Sequence, residues 1–327
     1  MTNINDKLAK EFNIKLKQVD SVIELLDGGN TVPFIARYRK EKTGGLDDVV
    51  LRNLAERLTY LRNLEERKKD VIRIIAEQEK LTDELESKIN KCETLTEVED
   101  IYRPFKPKKR TRATIAVEKG LKPLAEVILS GEFTGNIEEY AKEFINEEKE
   151  VMTSDDALNG AKDIVAEAIS DEAEYRKWIR EYVRKNGVIE CSGSSDEPTP
   201  YEMYYEYSEA VSKIPSHRIL AINRGEKEKI LSVKVVCDTD KIIDYLNKKS
   251  KKDNEITDKF IEESVEDSLK RLIYPSIERE IRAELTDKGE EGAIEVFKAN
   301  LSALLMQAPI KGKVDRKSTR LNSSHNS

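Results

Sequence analysis

Apolar residues along this chain recur mostly at the spacing of buried helix faces, and only rarely with the alternation of a strand. Ile4 to Phe12 predicts a short amphipathic helix. Leu16 to Leu26 predicts a second, with Val19, Val22, Ile23 and Leu26 on one face. Phe34 to Glu41 predicts a third, in which Phe34, Ile35 and Tyr38 fall at helical spacing and can face a core. Asp47 or Asp48 then opens a long helix, with Leu51, Leu54, Leu58, Leu61, Leu64, Val71, Ile74 and Ile75 near helical period. The sequence LRNL starts at Leu51 and again at Leu61. Ten residues turn a helix by roughly 1000°, so the two copies do not share a face.

Thr82 to Cys92 and Thr96 to Tyr102 predict two more helices. Arg103 to Arg112, RPFKPKKRTR, has two prolines and six basic residues and predicts extended chain. Helices resume around Gly120 with LKPLAEVILS, IEEYAKEFI and SDDALNGAKDIVAEAIS, where Ser154 or Asp155 can cap. Tyr175 to Lys185 is a further helix, stopped at Asn186-Gly187. Gly193 to Pro200 reads as a loop, and Ser216 can cap a helix in SHRILAINRGEKE. Lys229 to Cys237 has the β-branched alternation of a strand, and Val188 to Cys191 is a weaker one. Helices then run from Thr257 to Leu285 and from Gly289 to Gln307, with a break between. The expected fold is mainly α, an elongated multi-helix scaffold with a helix-turn-helix-like N-terminal part and one small β element.

Charge changes the picture. Of 327 residues, 37 % are charged and 6 % aromatic, which favours long solvated helices over a β-sandwich. The net charge is −7, so any nucleic-acid binding must come from local basic patches on an acidic body. Cys92, Cys191 and Cys237 have no CxxC spacing and fit a reducing cytoplasm. No stretch reads as a signal peptide or a bilayer-spanning run, so a cytoplasmic chain with no membrane partner is expected.

Two basic patches stand out. In GGNTVPFIARYRKEKTGGLDD, Gly28 to Asp48, the Gly-Gly-Asn run ends one helix and Thr31 can cap the next, with Pro33 in its first turn. Arg37, Arg39, Lys40 and Lys42 are left towards solvent, a layout similar to the second helix of a helix-turn-helix. Arginine suits phosphate because its guanidinium donates in a planar fork. The competing reading pairs these cations with Glu41, Asp47 and Asp48. The second patch is Arg103, Lys106, Lys108, Lys109, Arg110 and Arg112, with Tyr102 and Phe105 as candidate stacking rings. Its competing reading is a stiff arm that clamps helices.

Other candidates are weaker. Arg224-Gly225 reads as a sharp turn before a strand, with Arg224 a possible phosphate contact. His217 has no cysteine pair or native second histidine beside it, so it reads as structural. The tyrosines at Tyr201, Tyr204, Tyr205 and Tyr207 read as packing, with a stacking platform as the alternative. No GxxxxGK[ST], GxSxG or HExxH motif is present, so no catalytic residue, metal, cofactor or small-molecule substrate is expected.

Four blocks together resemble the bacterial Tex family of transcription accessory proteins: TVPFIARYRKEKTGGLDD, EDIYRPFKPKKRTRA with the following GLKPLA, YEMYYEYSEAVSKIPSHRILAINRGEKE, and LLMQAPIKGKV. The resemblance covers nearly all of Met1 to Val314. It implies an N-terminal helical region that precedes an RNase H-like domain, helix-hairpin-helix elements and an OB-fold RNA-binding domain. By that resemblance the chain is an N-terminal fragment that stops where the RNase H-like domain would begin. Asp315 to His325, DRKSTRLNSSH, resembles an in-frame translation of a sequencing adapter. The expected organisation is a helical region over 1–115, a central scaffold over 116–314 with its β element at about 188–237, and an artefactual tail over 315–327. The resemblance implies binding to RNA or DNA in the complete protein, with weak sequence-independent binding in this part. The alternative is a scaffold docking on RNA polymerase or ribosome-associated machinery.

Overall fold

The structure is a computed structural model that describes residues 3–107, 109–193 and 199–307. Lys108, most of the Gly193 to Pro200 loop, the 308–314 end of the last family block and the tail over 315–327 lie outside the described residues. Packing divides the chain into two units, Met1–Lys177 with Asn247–Ser268, and Trp178–Leu246 with Leu269–Ser327.

The first unit opens with α1 (Ile4–Glu11), α2 (Leu16–Asp27), α3 (Val32–Tyr38), α4 (Lys40–Thr43) and the long α5 (Asp48–Glu77). Asp47 starts α5, its carboxylate accepting from the Val50 amide at 2.8 Å. The buried stripe of α5 is Leu51, Leu54, Leu58, Leu61, Leu64, Lys68, Val71 and Ile75. These residues pack with Leu8, Val19, Val22, Leu25 and Ile35 into one core. Each fully buried leucine there contributes about 1.5–3 kcal/mol. The stripe holds Lys68, which apolar pattern alone passes over, and leaves Ile74 at its margin. The Lys68 ammonium is satisfied by Glu65 at 2.8 Å and by the Asn90 carbonyl at 3.1 Å.

The predicted Phe34 to Glu41 helix ends early. It stops at Tyr38, and Arg39 leaves helical geometry with φ −127°. In so short a helix only Ile35 is fully buried, so Phe34 and Tyr38 face outward, not towards the core. On α2 Leu25 is buried beside Val19 and Val22, and Ile23 and Leu26 pack half-buried against the same core.

After α5 come α6 (Asp83–Lys91), capped by Thr82, and α7 (Leu95–Tyr102), capped by Thr94. The basic strip is not extended throughout. Arg103–Phe105 forms a 3-10 turn, and Arg112 is already the first residue of α8 (Arg112–Glu118). The cause is Thr111, whose hydroxyl accepts from the Thr114 amide while Thr114 reaches back. Next are α9 (Lys122–Ser130), α10 (Ile137–Lys142), α11 (Ser154–Asp171) and α12 (Ala173–Asn186). Thr153, not Ser154 or Asp155, caps α11, because it exchanges hydrogen bonds with Asp156.

In the second unit β1 (Val188–Gly193), β2 (Glu206–Ala210) and β3 (Leu231–Val236) form an antiparallel sheet in the order β2-β1-β3. Cys191 lies opposite Tyr207 on one side and Val233 on the other. Strand β2 has no apolar alternation to mark it in sequence, since charged and tyrosine residues make up most of it. Between β2 and β3 runs α13 (Ser216–Lys227). Ser216 is its first residue and not its cap, and its hydroxyl donates to the Lys288 carbonyl. Arg224-Gly225 lies inside α13, and the turn into β3 is made by Lys229 at φ +60°. Gly225 is needed for contact, since a Cβ there would sit 2.6 Å from Leu231 Cδ1.

The chain continues with α14 (Thr239–Ser250), an element not expected from the sequence, and α15 (Glu255–Asp267). A π-helical stretch over Ser268–Ile273 leads into α16 (Tyr274–Leu305). The expected break at Thr286 to Gly289 does not occur. Gly289 serves packing there, because a Cβ would meet Ile219 and Leu220 of α13 at 3.2 Å. Beyond it Ile294, Phe297, Leu301 and Leu304 are exposed at heptad spacing. In the first unit α11 packs on α8, α9, α10 and α15. In the second, α12 and α16 are joined by two rungs, Arg180 to Glu280 at 2.8 Å and Arg184 Nε to Glu284 at 2.8 Å.

The cysteines are free. Burial pushes the Cys92 and Cys191 thiols up to about 11. Only a thiolate attacks an alkylating agent. Both are therefore expected to resist iodoacetamide at about pH 8 in the native chain and to label in urea, read by mass spectrometry. Unfolded thiols ionise near 9, whereas these stay protonated until about 11. The stability they confer is thus present below pH 9 and lost as the pH climbs towards 11.

Candidate nucleic-acid interface

The α3–α4 segment is built to present side chains outward. Gly28 closes α2, and Gly29 at φ +79° turns the chain towards α3. Ile35 anchors α3 in the core. The buried Thr43 anchors α4, its hydroxyl donating to the Lys40 carbonyl at 3.2 Å. The Gln18 side-chain amide of α2 donates to the Thr43 carbonyl at 3.0 Å and ties the two helices. Gly44, at φ +66°, leaves room for that amide, since a Cβ would lie 2.7 Å from Gln18 Nε2.

Arg37, Arg39, Lys40 and Lys42 are all exposed. Among the described residues none of the four makes an ion pair. The acids expected to neutralise two of their sides are committed elsewhere: Asp47 caps α5, and Asp48 binds Arg52 at 2.8 Å. Glu41 is the one carboxylate within α4. The same surface carries two aromatic rings, Phe34 at 36 % exposure and Tyr38 at 62 %. Their centroids are 5.2 Å apart, and the Arg39 guanidinium lies 5.4 Å from the centre of the Phe34 ring. These exposed rings were missed by pattern reasoning. The available signal was an aromatic i, i+4 pair in a helix with room for one core residue.

The strip from Arg103 to Arg112 is different. Arg103 binds Asp171 at 3.2 Å, and Arg110 binds Glu118 at 3.4 Å. Lys106, Lys109 and Arg112 are exposed. Tyr102 is only 5 % exposed, inside the α5–α7 core with Arg67 over its ring at 5.2 Å. Burial removes it as a stacking platform. Phe105 is half-buried against the same core, and its carbonyl accepts from Gln78 at 2.9 Å. The strip differs from the α3–α4 surface in that Arg103 is tied to the fold and both rings are drawn towards the core, whereas the α3–α4 rings stand outward among unpaired cations.

Arg224 is exposed on α13 and binds Glu228 at 2.9 Å. His217 is exposed in the first turn of the same helix. Tyr201 and Tyr204 are buried, and Tyr204 meets Tyr207 edge-on with centroids 5.2 Å apart. Tyr207 also shares its hydroxyl with Glu209 and Arg218, which pushes its ionisation up through burial first and the Glu209 hydrogen bond second.

Residues 2–76 match the Tex-like protein N-terminal domain, and residues 133–297 match the Tex central region-like family. The protein YdcI of Bacillus subtilis is 50 % identical over 315 residues, covering 95 % of this chain and 44 % of that protein. The transcriptional accessory protein Tex of Neisseria gonorrhoeae is 39 % identical, covering 94 % of this chain and 41 % of that protein. S1 RNA-binding domain-containing protein 1 of Homo sapiens is 31 % identical, covering 94 % and 32 % respectively. The chain thus spans less than half the length of these relatives. With the N-terminal and central regions both matched in order, this chain belongs to the Tex family.

Proposed function

We propose that this part of a Tex-like transcription accessory protein contributes a weak, sequence-independent nucleic-acid contact through α3 and α4. The observation that carries this is the row of four exposed cations without acidic partners among the described residues, in a chain of net charge −7. Cations already paired within the fold have little to gain from phosphate, whereas these four can release counterions from it. The human relative, named for an S1 RNA-binding domain, supports RNA as a ligand class. Lys106, Lys109 and Arg112 can extend the contact. Arg103 serves the fold first through Asp171, Arg110 is held only by an exposed pair with Glu118, and Arg224 is a minor candidate.

The test is fluorescence anisotropy of a labelled RNA titrated with the chain at two salt concentrations. Each phosphate neutralised adds roughly −0.7 to −0.9 to the slope of log affinity against log salt. A slope near zero overturns the proposal.

A second reading is a scaffold that docks on the transcription machinery. The exposed Ile294, Phe297, Leu301 and Leu304 face of α16 favours it, as does the ion pair that ties Arg103 of the basic strip to Asp171. Absence of measurable nucleic-acid binding by the chain at low salt would favour this second reading, a scaffold with no nucleic-acid binding of its own.

A further inference from the structure

We propose that the second unit carries a docking site for an acidic peptide, in a cleft between α13, the outer edge of β3 and α16, where Arg282 receives the peptide's carboxylate. The cleft has a volume of about 520 Å³. Arg282 lies on α16, and its side chain is 17 % exposed. Its Nη2 donates to Asn223 Oδ1 at 3.1 Å and to Glu226, both on α13. Its Nη1 is buried and meets no acceptor among the described residues. A buried donor left without an acceptor is costly, more so when charged, and a carboxylate is the acceptor that suits the guanidinium fork. Among the charged residues lining the cleft, Lys234, Arg279 and Arg282 are cations, and Glu226 and Glu278 are anions. That leaves one positive charge over. A single carboxylate matches it, whereas a doubly charged phosphate would be repelled by Glu226 and Glu278.

The sheet edge supplies the rest of the recognition. In the order β2-β1-β3, strand β3 has a neighbour on one side only. On its other side the Val235 amide donates to Glu278 Oε1 at 2.8 Å, and the Val235 carbonyl accepts from the Tyr274 hydroxyl at 2.7 Å. Both groups therefore point away from β1 and towards α16. Main-chain groups of alternate residues face the same side of a strand, so those of Val233 point this way too. Val233 lines the cleft with Arg282, and among the described residues no side chain meets its amide and carbonyl as Glu278 and Tyr274 meet those of Val235. An extended peptide laid along β3 exchanges main-chain hydrogen bonds with Val233, as strands added to a sheet edge do. Its acidic side chain then reaches Arg282 Nη1, with the exposed Arg279 and Lys234 at the rim. This site is independent of the α3–α4 reading, which concerns the other unit.

The experiment is isothermal titration calorimetry of the chain with four probes: the blocked peptide acetyl-Val-Glu-Val-amide, its glutamine counterpart, propionate and inorganic phosphate. The unaltered chain is compared with two variants, each checked for native circular dichroism. Arg282→Lys keeps a charge for Glu226 but loses the second nitrogen. Val233→Pro loses an N–H that faces away from β1, a position where a sheet edge tolerates proline. The glutamate peptide is expected to bind most tightly. The glutamine peptide, and Arg282→Lys with the glutamate peptide, are each expected to bind about 10-fold or more weakly, the worth of a hydrogen bond to a charged group. Val233→Pro is expected to weaken the glutamate peptide and leave propionate unchanged. Equal affinity for the two peptides overturns the inference, as does propionate or phosphate binding as tightly as the glutamate peptide. So does absence of glutamate-peptide binding at millimolar concentration. If Val233→Pro does not fold, the four probes on the unaltered chain still decide the matter.

Discussion

Arg176→Ala is expected to lower the stability of the native chain by about 3–5 kcal/mol. Arg176 is 1 % exposed, and its Nε donates to Asp100 Oδ1 at 3.0 Å. The Asp100 side chain is itself buried, so the pair has been taken out of water. Removing the guanidinium leaves a buried carboxylate without its main counter-charge and opens a cavity the size of a long side chain. Contrast Arg73 with Asp70 on α5, where both side chains are largely exposed. Screening by water and salt holds that pair to about 0–1 kcal/mol. Urea denaturation of the two single variants, Arg176→Ala and Arg73→Ala, measures the difference. A further variant replacing both Asp100 and Arg176 with apolar residues of similar volume should recover much of the loss, because no charge is then stranded. A cost below about 1 kcal/mol for Arg176→Ala would show that solvent reaches the pair after all.

Replacing Arg37, Arg39, Lys40 and Lys42 together by glutamine is expected to flatten the salt dependence of nucleic-acid binding. If all four meet phosphate of a single strand, the slope of log affinity against log salt should change by about 3. Affinity at low salt should fall correspondingly more than affinity at high salt. The control, compared per charge removed, is Arg52→Gln with Arg62→Gln. Those two arginines are also exposed, but they bind Asp48 at 2.8 Å and Asp27 at 2.7 Å. The Arg62 guanidinium holds the Asp27 carboxyl below its ordinary range. Being neutralised already, they should leave the slope nearly unchanged. Equal effects per charge removed in the two replacements would mean that net charge, and not the α3–α4 surface, governs binding.

The helices were legible wherever one face is buried over several turns. The stripe of α5 from Leu51 to Ile75 and the cap at Asp47 follow from periodicity and capping chemistry. What periodicity does not carry is the use of glycine for contact. Gly225 and Gly289 read as a turn and a break, yet both lie within helices where a neighbouring side chain fills the space of a Cβ. Capping also decided the start of α8, where a threonine pair at Thr111 and Thr114 outweighed the prolines and like charges just before it. The basic residues of the candidate surface were legible, but their pairing was not. Asp47 and Asp48 are close in sequence to Lys42, and their commitment to the start of α5 is a property of the fold. The exposure of Phe34 and Tyr38 was hidden for a similar reason. A helical spacing of aromatics normally marks a core face, and only the brevity of α3 turns it outward.

The two rungs between α12 and α16 have a consequence for how this protein can vary. Arg180 with Glu280 and Arg184 with Glu284 advance by the same step along both helices. A substitution at either rung leaves the other in place. A single inserted residue between Arg180 and Arg184 would instead rotate everything beyond it by about 100° and carry the second arginine off its partner's side. Sequence drift can therefore rewrite the letters of this helix pair, but not their count. Length changes should settle in the connecting loops of related proteins, while both helices keep their frame.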